Sequence, residues 1–482
     1  MKMYIGGAER SASDGCVIEV VNPATGEVID TVPAATKADV DELLDHAVAG
    51  FEQWSQVPLH QRMAAMQRFV NLAMQEDNRK AMALTMSKEM GKPYLEAYGD
   101  FNILKNHIEG FISAARNNLT GTVLPFGGEA GKENDFDITV REPIGPIVCI
   151  ISFNAPLTLF AKKVAPALLT GNSAIIKPAS DDPLTILMLS MLMYEAGIPG
   201  DAYQCVTGRG DVTGDYLTAD KRIAGVTFTG STEVGVKIAT NCGKNLKYQS
   251  LEMGGNAPLI ICADADIDYA VAESAAGRAT YLSGQICSVA KRFLVHRSIK
   301  DAYVKALVER VRAIKVGDPM DPATNMGTLI SEKAAKQVEQ QVNRILEQGG
   351  RLVFGGARDG AYYGPTVIDG CTRSMDVAHN VEIFGPVFPI FAFDTIEEAI
   401  ELANDTMYGL GSGIITPDIS LGMKVARKLK AGNVVINGQT FYRNLLTPFG
   451  GAKESGVGRE GQTQTLLAMT EIKNIVVKNM FR

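Results

Sequence analysis

The sequence has no long hydrophobic run and no apolar segment at its start. No stretch reaches the ~18 uninterrupted apolar residues that a membrane-spanning helix needs. The residues after Met1 also lack the apolar core, about 7–15 residues long, of a secretory signal peptide. We therefore expect a soluble, cytoplasmic protein with no membrane partner.

Cysteine is scarce too, and basic residues do not predominate. The seven cysteines include no C-x-x-C pair, which argues against a disulfide framework and against a structural zinc site. The 54 acidic residues exceed the 47 basic ones, and the net charge of −7 would repel a nucleic-acid backbone. We therefore expect no metal site and no nucleic-acid partner.

The 482 residues, 46% of them hydrophobic, are enough for more than one core. From about Gly145, short apolar segments alternate with helical ones, which is typical of βαβ units and a parallel sheet. Strands are predicted at Pro146–Ser152, Ser173–Lys177, Tyr203–Val206, Gly225–Phe228, up to Leu251, Pro258–Cys262, Arg351–Phe354, Val387–Phe393 and Asn433–Ile436. Helices are predicted from a capping box at Thr36, over Leu157–Leu169 and from Ser231. The fold class is therefore α/β, with two sheets.

Two segments, 119–143 and 470–479, fit neither sheet. The residues Thr470–Lys478 alternate between polar and apolar, as in a half-buried antiparallel strand. We expect a small third element there.

Cys287 lies in the segment Gly284–Ser288, which fits no strand or regular helix. An exposed cysteine in such a loop is a candidate nucleophile. The alternative is a small buried residue, because free cysteine is among the most buried residue types. No histidine lies close to Cys287 in sequence, so spacing indicates no Cys–His pair.

Three more candidates follow predicted strands. Glu252 precedes two glycines where open α/β sheets bind ligands, although it could equally be a turn carboxylate in water. Asn154 could direct its amide at a developing oxyanion, or simply serve as a turn or helix-capping residue. The segment Phe228–Glu233 joins a strand to a hydroxyl-rich helix start that could hold a phosphate, but it lacks the G-x-G-x-x-G pattern.

In this order, the segments resemble the aldehyde dehydrogenase superfamily over essentially the whole chain. The matching pieces are Phe153-Asn154, Lys163–Leu168, Gly171-Asn172, Ile176–Pro178, Phe228–Ser231, Leu251–Gly255, Gly284–Cys287, Glu382–Pro386, Asn433–Asn437 and Pro448–Gly451. The resemblance implies a Rossmann-like dinucleotide-binding domain (residues 1–118 and 144–250) and an α/β catalytic domain (residues 251–437). It also implies a small β oligomerisation extension (residues 119–143 and 460–482) and a homodimer or homotetramer.

By the same resemblance, Cys287 is the nucleophile, Glu252 the general base and Asn154 the oxyanion donor, together with the backbone N–H of Cys287. Lys163 and Glu460 match positions associated with proton relay. The implied activity is oxidation of a small aldehyde to its acid through a cysteine thiohemiacetal and thioester, with hydride transfer to NAD(P). The alternatives are a cysteine-dependent thioesterase or acyltransferase, and a non-catalytic scaffold on the same fold.

The sequence departs from the family pattern among the residues implied to bind the cofactor. The residues implied to contact the dinucleotide are Lys177, Ser180, Gly230, Ser231, Glu382, Phe384, Ser152 and Phe153. Ser180 stands where relatives that prefer NAD usually carry glutamate, so the barrier to a 2′-phosphate is removed and NADP is favoured over NAD. Asp181 and Asp182 could restore some repulsion.

Two cationic side chains are candidates for recognising the substrate. Lys162 follows Asn154 by eight residues, and Arg443 lies in a loop that lines the entrance in relatives. They would favour an aldehyde with an anionic or hydroxylated tail, unless both are solvated surface cations. Tyr281 stands where succinate-semialdehyde-type relatives place a second arginine, which weakens that particular analogy.

Overall fold

The computed structural model describes residues 1–125 and 127–481. Its α-helices are α1 (Lys37–Trp54), α2 (Leu59–Ala73), α3 (Glu76–Met90), α4 (Tyr94–Asn118), α5 (Pro156–Thr170), α6 (Leu184–Glu195), α7 (Asp215–Ala219), α8 (Thr232–Gly243), α9 (Ile267–Ala275), α10 (Lys300–Arg312), α11 (Glu332–Glu347), α12 (Ile396–Asn404), α13 (Ile419–Ala426) and α14 (Gln462–Ala468). Its strands are β1 (Met3–Ile5), β2 (Ala8–Arg10), β3 (Val17–Val21), β4 (Val28–Pro33), β5 (Thr122–Val123), β6 (Phe136–Pro143), β7 (Ile147–Ile150), β8 (Ala174–Lys177), β9 (Tyr203–Cys205), β10 (Gly225–Thr229), β11 (Tyr248–Glu252), β12 (Ala257–Ile261), β13 (Ala290–His296), β14 (Arg351–Phe354), β15 (Arg358–Asp359), β16 (Tyr362–Tyr363), β17 (Thr366–Cys371), β18 (Val387–Phe393), β19 (Gly411–Ile415), β20 (Asn433–Ile436), β21 (Gly456–Val457) and β22 (Thr470–Val477).

The first large sheet has the strand order β2-β1-β9-β8-β7-β10-β11-β21. Its central strands from β9 to β11 are parallel, while β1 and β21 pair antiparallel at either side. Buried apolar side chains cover both faces, with α5 and α6 packed on one and α1 on the other. Strands buried on both faces explain why β7 and β8 are continuous apolar runs in the sequence.

The second sheet has the order β14-β17-β18-β13-β12-β19-β20. It is parallel from β17 to β20, and β14 pairs antiparallel with β17 at one edge. Apolar clusters again cover both faces. The predicted α/β class with two mainly parallel sheets is confirmed.

The two segments that fitted neither sheet form one small antiparallel sheet, in the order β22-β6-β5. Strand β22 pairs with β6 over its whole length, from Thr470 opposite Pro143 to Val477 opposite Phe136. The predicted strand after Thr470 is therefore confirmed. The domain boundaries stay a prediction, and β21 lies in the segment 438–459, to which no domain was assigned.

Two helices show how local sequence shapes the fold. At α1 the Thr36 hydroxyl accepts a hydrogen bond from the Asp39 N–H, and the Asp39 carboxylate accepts one from the Thr36 N–H, as the capping box predicts. Helix α5 runs from Pro156 to Thr170, and the following Gly171, with a φ of 94°, allows the left-handed turn that leads into β8. The first turns of α5 project into the site described below.

Within residues 1–125 and 127–481, no helix is long and apolar enough to cross a membrane. No group of three or more His, Cys, Asp or Glu side chains is arranged there to hold a metal ion.

Candidate active site

A cavity of about 630 Å³ lies between helices α4 and α5, the loop before β13 and the loop after β20. Apolar side chains such as Ile103, Leu159 and Phe441 form much of its wall. Its polar lining includes Asn154, Lys162, Cys287, Arg443 and Glu460. A largely apolar cavity with a few convergent polar groups is typical of a small-molecule site.

Cys287 lies in the loop between a 3₁₀ turn, Tyr281–Gly284, and β13, and it is half-buried. Burial raises the pKa of its thiol, while the cations of Arg443 and then Lys291 oppose that rise. The Lys291 Nζ donates to the backbone oxygens of Ile286 (2.8 Å) and Cys287 (2.6 Å). Nothing in the spacing of the sequence singled out Lys291, whose role depends on the fold of the loop.

Asn154 is buried in the turn between β7 and α5. Its Nδ2 donates to the backbone oxygen of Gln285 at 2.8 Å, and its Oδ1 accepts from the Ser152 hydroxyl at 2.7 Å. Because Gln285 precedes Cys287 by two residues, the amide is fixed beside the loop that carries the thiol. An amide nitrogen carries two hydrogens, so the second can be donated to a ligand oxygen in the cavity.

Glu252 ends β11 and does not line the cavity itself. Both of its carboxylate oxygens are buried, and neither has a hydrogen-bond partner among the residues that the structure describes. Burial, and after it the charge of Glu460, raises the pKa of Glu252 well above the ordinary value. A buried carboxylate with a raised pKa next to a cleft is a typical candidate base.

Glu460 lies between two lysines of α5. Its Oε1 is 2.6 Å from the Nζ of Lys163, and its Oε2 is 3.7 Å from the Nζ of Lys162. Although burial opposes its charge, Lys163 and then Lys162 lower the pKa of Glu460 to about 2. The Lys163 Nζ also donates to the Thr227 hydroxyl at 3.1 Å. The group is thus a buried ionic network of one carboxylate and two lysines, and Lys162 and Glu460 line the cavity.

Lys177 ends β8 and is buried, with its Nζ donating to the Pro178 carbonyl at 3.3 Å. Burial lowers the pKa of this amine to about 8. The Ser180 hydroxyl donates to the Gly208 carbonyl at 3.3 Å. The adjacent Asp182 is buried, and burial followed by the charge of Glu89 raises its pKa well above the ordinary value. Both effects disfavour the charged form of Asp182.

Gly230 and Ser231 join β10 to α8. A Cβ at Gly230 would lie 2.4 Å from the ring of Phe228, so this close approach requires glycine. The Ser231 hydroxyl caps α8 by accepting from the Val234 N–H at 3.5 Å. The other N–H groups of the first helical turn lie at an exposed surface, where helix ends favour anions.

Glu382 and Phe384 approach the site from the second sheet. The Glu382 carboxylate accepts from the Gly255 N–H at 3.2 Å and is 3.1 Å from the Nζ of Lys291. Phe384 meets Phe153 edge to face, with the ring centroids 6.0 Å apart. The cofactor candidates therefore lie around the carboxyl ends of β7, β8 and β10 and on the facing loops of the second sheet.

Arg443 rests on the ring of Phe449, 3.2 Å from its centroid, and reaches Ser288 at 3.5 Å. It forms no salt bridge with any residue in the described part of the chain.

His107, which the sequence gave no reason to select, also lines the cavity. Burial, and then Lys162 and Arg443, lowers the pKa of its imidazole to about 3. Two cations and a neutral imidazole therefore face one end of the cavity.

Tyr281 lines the same cavity and stacks on Phe441, with the ring centroids 6.4 Å apart and the planes 7° from parallel. Its hydroxyl donates to Asp100 at 3.3 Å, so it points away from the cavity into a buried polar group. The structure thus brings all three substrate candidates, Lys162, Arg443 and Tyr281, to one cavity.

Comparison with known proteins adds an independent line of evidence. A sequence model described as the aldehyde dehydrogenase family matches residues 10–475. The mitochondrial succinate-semialdehyde dehydrogenase of Oryza sativa is 34% identical over 479 residues, covering 99% of this chain and 89% of the rice protein.

Solved structures of other dehydrogenases are similar to this chain over nearly its whole length. A 3,6-anhydro-L-galactose dehydrogenase in complex with NADP superposes with a TM-score of 0.94 at 32% identity, covering 99% of each chain. The betaine aldehyde dehydrogenase of Staphylococcus aureus, in complex with NAD+, superposes with a TM-score of 0.94 at 33% identity, covering 100% of this chain and 95% of that one.

Proposed function

Because the chain belongs to the aldehyde dehydrogenase family, we propose that it oxidises a small aldehyde to the free carboxylic acid with a nicotinamide dinucleotide as hydride acceptor. The observation that carries this proposal is the convergence of Cys287 and Asn154 on one cavity, with the buried Glu252 behind them. Family membership does not favour the alternatives, a thioesterase or acyltransferase without redox chemistry and a non-catalytic scaffold.

In the first step, the Cys287 thiolate adds to the aldehyde carbon, and the carbonyl electron pair moves to oxygen. The Asn154 Nδ2 and the Cys287 backbone N–H donate to this oxyanion. Such a donor typically contributes about 3–4 kcal/mol of transition-state stabilisation. A dinucleotide bound at these strand ends would supply the hydride acceptor, and loss of hydride from the thiohemiacetal carbon would leave a thioester on Cys287.

In the second step, Glu252 takes a proton from the water that attacks the thioester, and the Cys287 thiolate leaves. Burial and the charge of Glu460 raise the pKa of Glu252 above the ordinary carboxylate value, which makes it a stronger proton acceptor. The network of Glu460 and Lys163 lies next to Glu252 and can carry the proton onward. A free acid is the product, since water rather than a thiol accepts the acyl group.

The residues around the strand ends fit a dinucleotide. A buried lysine amine, Lys177, and the helix start at Ser231 are donors for hydroxyl and phosphate groups. We propose NADP as the preferred cofactor and NAD as the second choice. Ser180 provides a hydroxyl rather than a carboxylate, and burial disfavours the charged form of Asp182, whose charge would repel a 2′-phosphate. The solved relatives include complexes with both cofactors.

The substrate we propose is a short aldehyde with an anionic or hydroxylated tail. Arg443 supports this choice, because it lines the cavity without a carboxylate partner in the described chain and adjoins the thiol loop. Lys162 is engaged with Glu460, so its positive charge is already balanced in part. Tyr281 contributes a flat apolar wall rather than a charge.

We also propose that the chain assembles as a homodimer or homotetramer through the small antiparallel sheet. Its edge strand β22 exposes Ile472, Ile475, Val476 and Val477, an apolar surface that suits a second copy. The cytoplasmic location stays a prediction from the sequence, and the name of the rice relative assigns that protein to mitochondria.

The test of the function is a panel of small aldehydes with NADP and NAD in parallel, followed at 340 nm. We expect dinucleotide-dependent oxidation by the wild type, and loss of that oxidation in Cys287→Ser, since a serine hydroxyl without a local base is a weak nucleophile. Dinucleotide binding should persist in the variant. Acyl transfer without any dinucleotide, or near-normal turnover in Cys287→Ser, would contradict the proposal.

A further inference from the structure

Beneath the cavity lies a buried cluster of charges that the reaction does not use. Lys92, just before α4, lies 2.5 Å from the Asp100 carboxylate and 3.2 Å from that of Glu96. The Lys92 side chain is only 3% exposed and that of Asp100 only 7%. Although burial opposes its charge, Asp100 and then Glu96 raise the pKa of Lys92. The two carboxyl groups therefore favour the charged form of the buried Lys92 amine.

The same cluster reaches out to one turn of the chain. The Tyr281 hydroxyl donates to Asp100 at 3.3 Å, and the Leu282 N–H donates to Glu96 at 3.1 Å. The Lys92 Nζ lies 5.4 Å from the centre of the Tyr281 ring. Each member of the cluster thus contacts Tyr281 or Leu282.

The backbone of that turn, residues 282–284, has an unfavourable conformation. Leu282 and Ser283 have φ values of 53° and 51°, in the left-handed region, and Gly284 follows at 76°. Residues with a side chain seldom adopt this region, and they hold it only where the surroundings impose it. The contacts to Asp100 and Glu96 are such an imposed restraint.

The turn leads directly to the reacting groups. The Leu282 carbonyl accepts from both the backbone and the side chain of Gln285, at 2.9 and 3.1 Å. The Gln285 carbonyl in turn accepts from Asn154 at 2.8 Å, and Cys287 is two residues further on. An unbroken chain of hydrogen bonds therefore connects the cluster with the oxyanion donor.

We propose that Lys92, Glu96 and Asp100 act as positioning residues: they hold the left-handed turn Leu282–Gly284 and thereby align Cys287 with Asn154. This inference rests on the proposed function for the part that concerns catalysis. A buried polar cluster is well suited to the task, because a buried cation or hydrogen-bonding group cannot be left unpaired without a large cost, so its geometry is strongly fixed.

The decisive variant is Glu96→Ala, which removes the acceptor of the Leu282 N–H. We expect hydrogen exchange in the 281–287 peptide to accelerate at least about tenfold as the turn opens. The burst of reduced cofactor should slow by at least about tenfold, since small misplacements of reacting atoms are costly. The Kd for the dinucleotide should be unchanged. Glu96→Gln keeps an acceptor oxygen and should restore most of both properties.

The matched control is Asp369→Ala, which removes another carboxylate, 4% exposed and 2.9 Å from the Nζ of Lys300, but outside the cavity lining. It should lower the Tm without changing the burst or the exchange of the 281–287 peptide. If Glu96→Ala does not fold, Tyr281→Phe cuts the contact to Asp100 alone and should show a smaller change of the same kind.

Unchanged exchange at 281–287 in Glu96→Ala, or faster exchange with a normal burst, would overturn the inference. So would an equal slowing of the burst in the Asp369→Ala control. If the wild type reduces no dinucleotide with any aldehyde, the proposed function fails instead, and hydrogen exchange alone still decides whether the cluster holds the turn.

Discussion

At the scale of single residues, Cys287 differs from the other cysteines by its surroundings. Burial raises the pKa of Cys149, Cys205 and Cys371 to about 12, so these thiols are inert at neutral pH. At Cys287 two cations, Arg443 and Lys291, oppose that rise. A thiolate is the reactive form of cysteine, so Cys287, which lines the cavity and has two cations nearby, is suited to attack.

Glu252→Gln should separate the two halves of the reaction. One equivalent of reduced cofactor should appear quickly, and steady turnover should then fall, because the acyl-enzyme waits for a base that is missing. Rapid-mixing absorbance at 340 nm measures both phases. A normal steady rate with a slow burst would place the base elsewhere.

The pH dependence of turnover tests the charge coupling between Glu252 and Glu460. Glu252 acts only when deprotonated, and its raised pKa places the rising limb of the steady-state rate well above pH 4.5. In Glu460→Gln one source of repulsion is gone, so the pKa of Glu252 should fall and the limb should move to lower pH. A pH–rate profile of both proteins measures the shift. A rising limb that stays in place or moves to higher pH in Glu460→Gln would contradict the coupling.

Arg443→Ala should weaken the preference for an anionic aldehyde over a neutral one of equal length. A charge-assisted hydrogen bond contributes about 1.5–3 kcal/mol, which is roughly tenfold to a hundredfold in kcat/KM. Lys162→Ala should have the smaller effect, because Glu460 already pairs with that lysine. The control is Arg297→Ala, an exposed arginine paired with Asp394. If the wild type and all three variants prefer the anionic aldehyde equally, these cations do not contribute to substrate recognition.

At the scale of elements, the predicted strands and helices formed where local sequence was decisive. The apolar runs before Ser152 and up to Lys177 became β7 and β8, and the capping box at Thr36 began α1. The left-handed turn at Leu282 was not predicted, because neither Leu282 nor Ser283 favours that conformation by itself. It depends on contacts with α4, nearly two hundred residues away in sequence.

The site, like the fold, has some features that local sequence predicts and others that depend on distant contacts. Motifs pointed to Cys287, Glu252 and Asn154 as candidates, and their roles stay predictions. Lys291 and His107 carry no local signal, because what distinguishes them is burial and distant charge. Such properties arise only when separate segments pack together.

Glu89, on α3, gives a pH-dependent test of one element contact. Its carboxylate accepts from the N–H groups of Leu184 and Thr185 at the start of α6, at 2.7 and 2.9 Å. Burial raises its pKa to about 7 in the folded protein, against an ordinary 4.5. The folded state therefore binds the proton more tightly, and stability should fall by about 3 kcal/mol as the pH rises from 4.5 through 7.

In Glu89→Gln this decline should largely disappear, although the contact with the Leu184 N–H is lost at every pH. Thermal unfolding between pH 4.5 and 8 measures it. Asp39→Asn is a control of opposite sign: N–H donors of Thr36 and Ser13 overcome burial and lower the pKa of Asp39, so the wild type loses that stabilisation as the pH falls. A Glu89→Gln protein with the wild-type slope would contradict the assignment.

At the scale of the whole molecule, the edge strand β22 is the surface to test for assembly. Ile472→Glu places a charge on its 63% exposed apolar position and should shift the protein to smaller species, as light scattering after size exclusion would measure. Met423→Glu, at an exposed position of α13, is the matched control and should leave the assembly unchanged. Equal molar masses for both variants and the wild type would exclude this surface.

The pairing of β21 with β11 has a consequence for the order in which the protein is made. Gly456 and Val457 complete a sheet whose other strands all precede residue 253, and Glu460 follows directly after them. A growing chain therefore carries Glu252 at an unfinished sheet edge, and Lys163 without its carboxylate, through the synthesis of some two hundred further residues. The second sheet can fold in that interval. The candidate active site can therefore be assembled only after Glu460 has been synthesised, so a chain that ends before it lacks this arrangement.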